Sequence, residues 1–379
     1  MASTVNRTAV VVPAIRGRSV SVEQLPLELA RLWAEVSAQV EAEHQQIPIQ
    51  TNVLTLIAVA RGPLEQRIVR DTLQHLAEVQ PSRAIAVYID NVADKLSADI
   101  SAMCRPATDG RITCYEVVEL HAPPQQLDAL PSVLHELELY DLPSFIWWVG
   151  EVDLRSNVFR STARLVERVI IDTSRCEDAA AVLQEYAAFL GQEGNTCTAS
   201  DLTWARATSW REIVAQSFDS PLARDLLWGI QNVEIDFDPP AETQALLFAG
   251  WLASRLGWDP VLAERRGSTL RAIATAANGS TVAVALNRQA SAGSSLRSIR
   301  ILARDGTSTA RMTIRRRDDR LASVLMETPG IRQERVIPDA RPGIPDLVSA
   351  ELLAHTRDRV FVEALRCATH WLSTLKGNA

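Results

Sequence analysis

The sequence predicts an α/β protein, with an N-terminal parallel, Rossmann-like α/β domain followed by an α+β domain that carries an antiparallel sheet. Continuous apolar runs such as TNVLTLIAVA (51–60) and AIAVYID (84–90) alternate with amphipathic helical segments in the first half. Such runs are typical of strands buried on both faces of a parallel sheet. The apolar period changes to two in the second half, which favours antiparallel strands. The 379 residues suffice for two or three domains.

The first half divides into a regular series of elements. Residues 1–25 are expected to form a loose arm, and apolar positions at helical spacing then predict a helix over 25–43. Gly and Pro residues mark the turns between the remaining elements. The expected strands are 51–60, 84–90, 111–120, 144–150 and 168–174, and the expected helices are 64–79, 125–139, 156–165 and 177–190.

The second half changes character after Gly191–Asn195. Residues 200–256 are predicted to be mostly helical, and short alternating segments follow. Asn278-Gly279, Asp305-Gly306 and Asp318-Asp319 mark hairpin turns between them. A single closing helix is expected over 347–375. The predicted strands are 271–276, 280–287, 295–302, 309–316 and 321–327, and the predicted domains are 1–50 (arm and helix), 51–195 (parallel α/β) and 196–379 (α+β).

Charge and apolar patterning exclude several classes of protein. The net charge is −7, and all 39 basic residues except Lys95 and Lys376 are arginines. An acidic chain with scattered arginines is a poor ligand for nucleic acid, so no nucleic-acid partner is expected. No apolar run is long enough to span a bilayer, and none resembles a signal peptide, so we expect a cytoplasmic protein without a membrane partner.

The five cysteines give little sign of a disulfide framework, because their number is odd and their spacing is wide. Cys104 and Cys114 flank the turn RPATDG and could face each other. They are either a redox pair or two ordinary thiols, and the second interpretation is favoured.

Common catalytic motifs are missing from the sequence. It contains no GxGxxG, no P-loop, no GxSxG and no HExxH, and the first strand is followed by a single glycine, Gly62. A pyrophosphate would need a closer backbone approach than this turn offers. These absences exclude the common phosphate-binding, hydrolase and metalloprotease routes, although an active site can also assemble from distant residues. No cofactor, metal or catalytic residue is predicted. Asp236-Phe237-Asp238 could hold a metal–nucleotide pair, but a plain acidic loop is favoured.

Two aromatic segments stand out. In the segment 141–148, DLPSFIWW, strand alternation places Trp147 and Trp148 on opposite faces, either near the ligand-binding carboxyl edge or packed against flanking helices. In the segment 201–212, DLTWARATSWRE, Trp210 begins a helical stripe with Ile213 and Val214. This stripe is either an interface rich in Trp and Arg or interior packing between domains, with Arg206 or Arg211 paired to Asp201.

These segments, together with PSRAIAV (81–87) and RVIIDTS (168–174), resemble the OpcA family of glucose-6-phosphate dehydrogenase assembly proteins from cyanobacteria and actinobacteria. The resemblance covers roughly residues 50–370. It implies a non-catalytic protein that binds glucose-6-phosphate dehydrogenase, promotes its active oligomer and supports the oxidative pentose phosphate pathway and its NADPH supply. The residues that we hypothesise to contact the partner are Asp141, Pro143, Trp147, Trp148, Asp201, Trp204, Arg206, Trp210 and Arg211.

The resemblance also implies redox regulation in some members, with thioredoxin as a candidate partner and Cys104 and Cys114 as the candidate pair. The sequence has no CxxC, and Cys367 is the one cysteine near its C-terminal end. An alternative function stays open, namely an α/β enzyme or a sensor of sugar phosphates or nucleotides at the sheet edge. In that case arginine side chains would clamp the phosphate.

Overall fold

A computed structural model describes residues 15–44, 47–50, 52–80, 82–106, 111–137, 141–219, 224–290, 293–306, 308–354 and 356–375. The chain divides into two compact units. Unit 1 comprises Met1–Val149 and Ser156–Val169, and unit 2 comprises Gly150–Arg155 and Ile170–Ala379. The sequence-based domain boundary lies later, at 191–195, and it stays a prediction.

Unit 1 is built on a mostly parallel sheet with the order β1-β5-β6-β4-β3-β7, and β2 pairs with β6. Strands β6, β4, β3 and β7 run parallel, and β5 and β1 are antiparallel additions at one edge. The bounds are β1 Ile15–Val20, α1 Leu25–His44, β2 Ile49–Gln50, β3 Thr55–Arg61, α2 Pro63–Val79, β4 Arg83–Ile89, β5 Ser97–Pro106, β6 Ile112–Ala122, α3 Leu130–Leu137, β7 Ser144–Val149 and α4 Asn157–Ala163.

The predicted parallel α/β class is confirmed, with two corrections at the edge of the sheet. The expected loose arm includes a strand, because β1 pairs with β5; residues 1–14 of that arm lie outside the described residues. Strand β5 itself was not expected. Its buried positions alternate with half-exposed ones, which gives a weaker signal than the continuous apolar run of β3, buried from Thr55 to Ala60.

Strand β8 (Arg168–Ile171) leads from unit 1 into unit 2. The first elements of unit 2 are α5 Ala179–Leu190, β9 Thr198–Asp201, α6 Leu202–Arg206, α7 Thr208–Ser217, β10 Ile230–Phe237 and α8 Glu242–Leu256. The remainder are β11 Asp259–Arg266, β12 Thr269–Thr275, β13 Thr281–Arg288, β14 Leu296–Asp305, β15 Ser308–Arg316, β16 Leu321–Thr328, β17 Ile331–Pro338, α9 Ile344–Leu353 and α10 Arg359–Thr374.

Strands β10 to β17 form an eight-stranded sheet with the order β11-β12-β13-β10-β14-β15-β16-β17. All neighbours are antiparallel except β10 and β13. The predicted antiparallel sheet is confirmed, and Gly279 and Gly306 adopt the positive φ that their hairpin turns require. The helices α8 and α10 pack against each other and against this sheet.

Two predictions within unit 2 need correction. The region 200–256 is mostly helical, as predicted, but it also includes a strand that was not expected. This strand is β10, in which Val233, Ile235 and Phe237 are buried at alternate positions. The single closing helix is two helices, α9 and α10. The Asp358 carboxylate caps the second of these by accepting a hydrogen bond from the Phe361 N–H at 2.9 Å.

Candidate functional site

The segments RVIIDTS and DLTWAR meet inside unit 2. The Asp172 carboxylate follows β8 and is 1% exposed. Arg206, at the end of α6, donates from Nη1 to Oδ1 and from Nη2 to Oδ2, both at 2.7 Å. Burial alone would raise the pKa of Asp172, but the Arg206 charge and hydrogen bonds outweigh it and lower that pKa. The pair is therefore a buried, bidentate ion pair. The interior-packing alternative had paired Arg206 or Arg211 with Asp201, whereas Arg206 pairs with Asp172.

Asp201 instead organises the backbone around this pair. Its Oδ1 accepts from the Thr203 N–H at 2.8 Å and from the Thr173 N–H at 3.2 Å, and its Oδ2 accepts from the Thr173 hydroxyl at 2.6 Å. Asp201 thereby caps α6 and holds the turn after β8. Burial, followed by the charge of Asp172, raises the pKa of Asp201 to about 6. We call Asp172, Thr173, Asp201, Thr203 and Arg206 the buried polar cluster.

Trp204 and Arg211, which belong to the same segment, contact each other directly. The Arg211 guanidinium lies 3.4 Å from the Trp204 ring centroid, and its Nη1 donates to the Trp204 carbonyl at 2.7 Å. The Trp204 indole N–H donates to Asp358 at 2.8 Å. Burial lowers the pKa of Arg211 to about 10. Asp201, the other expected partner of Arg211, is not its partner.

The predicted stripe on α7 is interior packing within unit 2. Trp210 is 0% exposed, and Ile213 and Val214 are buried beside it. The Arg316 guanidinium lies 5.4 Å from the Trp210 ring centroid and pairs with buried Asp339 at 2.8 Å. Within α7, the positions that reach the surface are Thr208, Glu212, Ala215 and Gln216.

The DLPSFIWW segment divides between surface and interior of unit 1. Asp141 is exposed and Pro143 is half-buried, whereas Trp147 and Trp148 in β7 are 1% and 7% exposed. Trp148 packs against Phe159 of α4, with the ring centroids 5.6 Å apart. Both tryptophans therefore pack in the interior of unit 1.

Cys104 and Cys114 are joined by a disulfide, which corrects the favoured interpretation of two ordinary thiols. They lie directly opposite each other on β5 and β6, with their Cα atoms 4.0 Å apart. Cys176, by contrast, is buried, and burial together with the charges of Glu151, Asp201 and Asp172 raises its pKa to about 12. Cys176 therefore stays a protonated thiol at neutral pH.

The acidic triplet Asp236-Phe237-Asp238 is engaged in structural pairs. Asp236 lies within β10 and accepts from Arg300 at 2.7 Å, and buried Asp238 accepts from Arg297 at 2.6 Å. The described residues contain no group of three or more His, Cys, Asp or Glu side chains that could hold a metal ion. No helix in the described ranges is long and apolar enough to cross a membrane.

A pocket of about 640 Å³ opens in unit 2 beside the buried polar cluster. The chain after β8 and the start of α5 form one wall, and Pro239 to Thr243 form another. Sequence reasoning did not find this pocket, because its arginines come from three distant segments. The charged side chains that line it are Glu151, Arg175, Glu177, Asp178, Glu242, Arg265 and Arg288.

The eight-stranded sheet has a second face, which we call the open face. The residues that alternate with its buried positions are exposed or half-exposed; Arg271, Ala283 and Arg311 are examples. Strand register aligns one row of this face across all eight strands. The row is Glu264, Arg271, Ala285, Glu234, Arg300, Thr313, Leu325 and Glu334.

Solved structures define the class of fold. The chain is similar to KijD10, a 3-ketoreductase from Actinomadura kijaniata, with 12% identity over 86% of this chain and 98% of that one and a TM-score of 0.50. An NAD-binding oxidoreductase from Klebsiella pneumoniae gives the same TM-score at 9% identity, over 85% of this chain and 96% of that one. The chain therefore shares its fold with these two proteins, and at this identity the likeness concerns the fold alone.

The family is defined by the sequence. Residues 73–188 match the glucose-6-phosphate dehydrogenase subunit N-terminal domain, and residues 197–365 match the C-terminal domain of the same subunit. Together the two matches cover about three quarters of the chain. The chain belongs to this OpcA family of glucose-6-phosphate dehydrogenase subunits.

Two cyanobacterial relatives share the provisional name OxPP cycle protein OpcA. The Synechococcus elongatus protein is 32% identical over 190 residues, which are 49% of this chain and 42% of the relative. The Nostoc punctiforme protein is 33% identical over 184 residues, 48% of this chain and 39% of the relative. The match thus spans about two fifths of the length of these relatives.

Proposed function

We propose that this protein is a non-catalytic partner of glucose-6-phosphate dehydrogenase that binds the dehydrogenase and promotes its active oligomer. Its role would be to support the oxidative pentose phosphate pathway and NADPH supply from the cytoplasm. The observation that carries the proposal is membership of a dehydrogenase-subunit family through both of its domains. The provisional name of the cyanobacterial relatives refers to the same pathway.

The start of α2 supports the non-catalytic part of this proposal. In dinucleotide-binding folds, the pyrophosphate binds to free N–H groups at the start of the helix that follows the first parallel strand. In this chain that strand is β3 and that helix is α2. Here Pro63 occupies the first turn and removes a donor, and Glu65 places a carboxylate in that turn. Both features oppose an anion at this position, because a negative charge there repels the phosphate and the missing N–H cannot bind it.

The open face is the surface that we propose for the dehydrogenase. Several large apolar side chains of this sheet are exposed, among them Ile273 at 37%, Leu321 at 38% and Val336 at 49%. Strand register places Ile273 opposite Ala283, and Val336 opposite Ser323, on the open face. Exposed arginines, including Arg311 and Arg315 on β15, lie on the same face. Exposed apolar side chains together with arginines on one face are typical of protein interfaces.

The Trp and Arg segments take a different part in the proposal. Since Trp147, Trp148, Trp204 and Trp210 are buried, they would act by fixing the structure rather than by touching the partner. Of the residues predicted to make contact, those that reach the surface at least in part are Asp141, Pro143, Arg206 and Arg211. A direct contact through these four stays a prediction.

Activation would follow from differential binding. A partner protein can shift the dehydrogenase toward its active oligomer only if it binds that oligomer more tightly than the inactive one. Allosteric couplings of about 1–3 kcal/mol change apparent affinities by roughly 5- to 150-fold. The expected readout is therefore a lower apparent KM for glucose 6-phosphate, or a larger oligomer, when this protein is added.

The test combines dehydrogenase kinetics with light scattering, with and without this protein. The variant Arg311→Glu/Arg315→Glu reverses two charges on the open face, and Arg359→Glu/Arg366→Glu makes the same change on exposed positions of α10. We expect the first variant to lose activation and the second to keep it, with unchanged circular dichroism. Full activation by the first variant would refute the open face as the contact surface. No effect of the wild-type protein on rate or oligomer would refute the function.

Redox regulation through the Cys104–Cys114 disulfide is part of the same proposal. Disulfides in the cytoplasm are usually transient, so a thioredoxin-type protein is a suitable reductant. Because the bridge closes a loop of 10 residues, its loss should lower the stability of unit 1 by about 2–3 kcal/mol. Urea unfolding of the wild-type protein with and without dithiothreitol tests this, and Cys104→Ser/Cys114→Ser is the control that should not respond. An equal response of both proteins would contradict it.

A further inference from the structure

We infer that the pocket in unit 2 binds a phosphorylated sugar or a small phosphate ester of similar size. This inference concerns the chain alone and does not rest on binding to the dehydrogenase. The volume of about 640 Å³ lies within the range of small-molecule sites. All of the residues that line the pocket belong to unit 2, so this unit suffices to form it.

Two of the arginines that line the pocket are available to an anion. Glu242 pairs with Arg265, Asp178 caps α5 by accepting from the Ala181 N–H, and Glu151 accepts from the Glu177 N–H. Three of the four carboxylates are thus already engaged. Two of the three arginines, Arg175 and Arg288, form no ion pair among the described residues.

Arg175 carries the more specific signal. Its Nε is buried and has no hydrogen-bond partner among the described residues. A buried donor without an acceptor costs about 1–3 kcal/mol. The Nε atoms of Arg83 and Arg105 share this state, but Arg175 differs from them because it lines the pocket. Arginine binds phosphate through two parallel N–H groups, which makes this guanidinium a suitable phosphate ligand.

The first turn of α5 adds donors at the same wall. Ala179 and Ala180 line the pocket and begin a helix of 12 residues. The first N–H groups of a helix have no intrahelical acceptor, and Asp178 satisfies only that of Ala181. Phosphate oxygens can accept from such N–H groups.

The buried polar cluster fixes the wall that carries Arg175. The Ser174 N–H donates to the Thr203 hydroxyl at 3.0 Å, and the Ser174 hydroxyl donates to Asp172 at 2.6 Å. The Arg175 N–H donates to the Asp172 carbonyl at 3.0 Å. The residues of the two sequence motifs thus hold the turn that presents Arg175, which makes them positioning residues for the pocket.

The mixed charge of the lining points to a sugar phosphate rather than to free phosphate. The carboxylate of Glu177 can accept hydrogen bonds from sugar hydroxyls, while Arg175 and Arg288 donate to the phosphate. A simple anion site would not benefit from exposed carboxylates at its rim, because they repel the ligand.

The test is isothermal titration calorimetry of the full chain with glucose 6-phosphate, in the absence of any dehydrogenase. Glucose and inorganic phosphate are titrated separately. We expect glucose 6-phosphate to bind at least tenfold more tightly than either. The variant Arg175→Gln/Arg288→Gln should lose at least tenfold in affinity, and Arg311→Gln/Arg315→Gln on the open face should bind as the wild type does.

Three results would overturn the inference. They are no heat of binding at millimolar glucose 6-phosphate, inorganic phosphate binding as tightly as glucose 6-phosphate, and unchanged affinity in the Arg175→Gln/Arg288→Gln variant. Circular dichroism and unfolding in urea verify that this variant is folded. Its capture of the dehydrogenase should equal that of the wild type, so failure of this inference and failure of the proposed function are separate results.

Discussion

Unit 2 contains two arginine–aspartate pairs of the same chemistry in contrasting surroundings. Arg206 binds Asp172 through two hydrogen bonds of 2.7 Å in the buried polar cluster. Arg300 binds Asp236 through bonds of 2.7 and 3.2 Å on the open face. The aspartate side chain is 1% exposed in the first pair and 17% exposed in the second. The first pair is therefore a structural element, whereas the second remains accessible to a partner.

This difference changes the meaning of the Trp and Arg motifs. Both residue types are enriched at interface hot spots, and that enrichment suggested a surface. In unit 2 the Trp and Arg residues contact each other and other buried residues, whereas the described part of the open face carries no comparable motif. A distinctive pattern of Trp and Arg thus indicates a constrained environment, and burial decides whether that environment is an interface or a core.

The largest effect is expected at Trp210. It is 0% exposed, and replacing a buried tryptophan by alanine costs about 3–5 kcal/mol of unfolding free energy. Trp228, which is 61% exposed, is the matched control; Trp228→Ala should change stability by no more than about 0.5 kcal/mol. Chemical denaturation followed by circular dichroism measures both. Equal losses in the two variants would contradict the assignment of Trp210 to the interior.

A second variant separates shape from hydrogen bonding at this position. The indole N–H of Trp210 has no hydrogen-bond partner among the described residues. Trp210→Phe therefore loses volume but no hydrogen bond, and it should cost clearly less than Trp210→Ala. If both cost the same, aromatic packing against Arg316 is not what Trp210 contributes.

The two arginine–aspartate pairs give the next prediction. Arg206→Ala leaves Asp172 buried without its cation, and breaking such a pair costs about 3–5 kcal/mol. Arg300→Ala removes a pair whose arginine is about one-third exposed, for which losses of roughly 0.2–1 kcal/mol are usual. Urea unfolding at neutral pH measures both. Arg206→Lys, which keeps the charge but not the bidentate geometry, should fall between them.

An Arg206→Ala variant as stable as Arg300→Ala would break the comparison, because the two environments would then be equivalent. The pocket provides an independent readout. Since Arg206 donates to both Asp172 and the Ser174 hydroxyl, its loss should also weaken glucose 6-phosphate binding if the proposed site exists. Arg300→Ala should leave that binding unchanged.

Much of the fold was predictable, because the spacing of apolar residues along the chain indicates directly which positions are buried. The continuous apolar run of β3 and the alternation in β12 and β13 identified parallel and antiparallel sheets correctly. Strand β10 was missed, because its four half-exposed polar positions dilute the alternation of Val233, Ile235 and Phe237 in a region flanked by helices. Strand β1 was missed because its pairing partner β5 lies about 80 residues away.

The site was predictable in its residues but not in its arrangement. Asp172 and Arg206 both lie in segments that the sequence singled out, yet 34 residues separate them and nothing local pairs them. One of the two alternatives paired Arg206 or Arg211 with the nearer carboxylate, Asp201, but that carboxylate accepts hydrogen bonds from the N–H groups of Thr173 and Thr203. A side chain at a helix N-cap accepts hydrogen bonds from nearby backbone N–H groups. This property could have excluded Asp201 as the partner of Arg206.

A pH dependence also distinguishes the buried polar cluster from the open face. Burial, followed by the Asp172 charge, raises the pKa of Asp201 to about 6. The folded protein then binds this proton more tightly than the unfolded chain, whose aspartate pKa is about 4. The stability that Asp201 contributes is full below that value, is lost as the pH rises to about 6, and stays constant above, for a total of about 2–3 kcal/mol. Asp201→Asn has no such proton, so the difference in unfolding free energy between the two proteins should change between pH 4 and 6 and be flat from pH 7 upward. A difference that is constant over the whole range would contradict the raised pKa.

Asp236→Asn on the open face is the control, because hydrogen bonds from Arg300, Ser298 and Asn287 outweigh burial and lower the pKa of Asp236. The stability that Asp236 contributes is present above its unfolded pKa and is lost as the pH falls, which is the opposite direction.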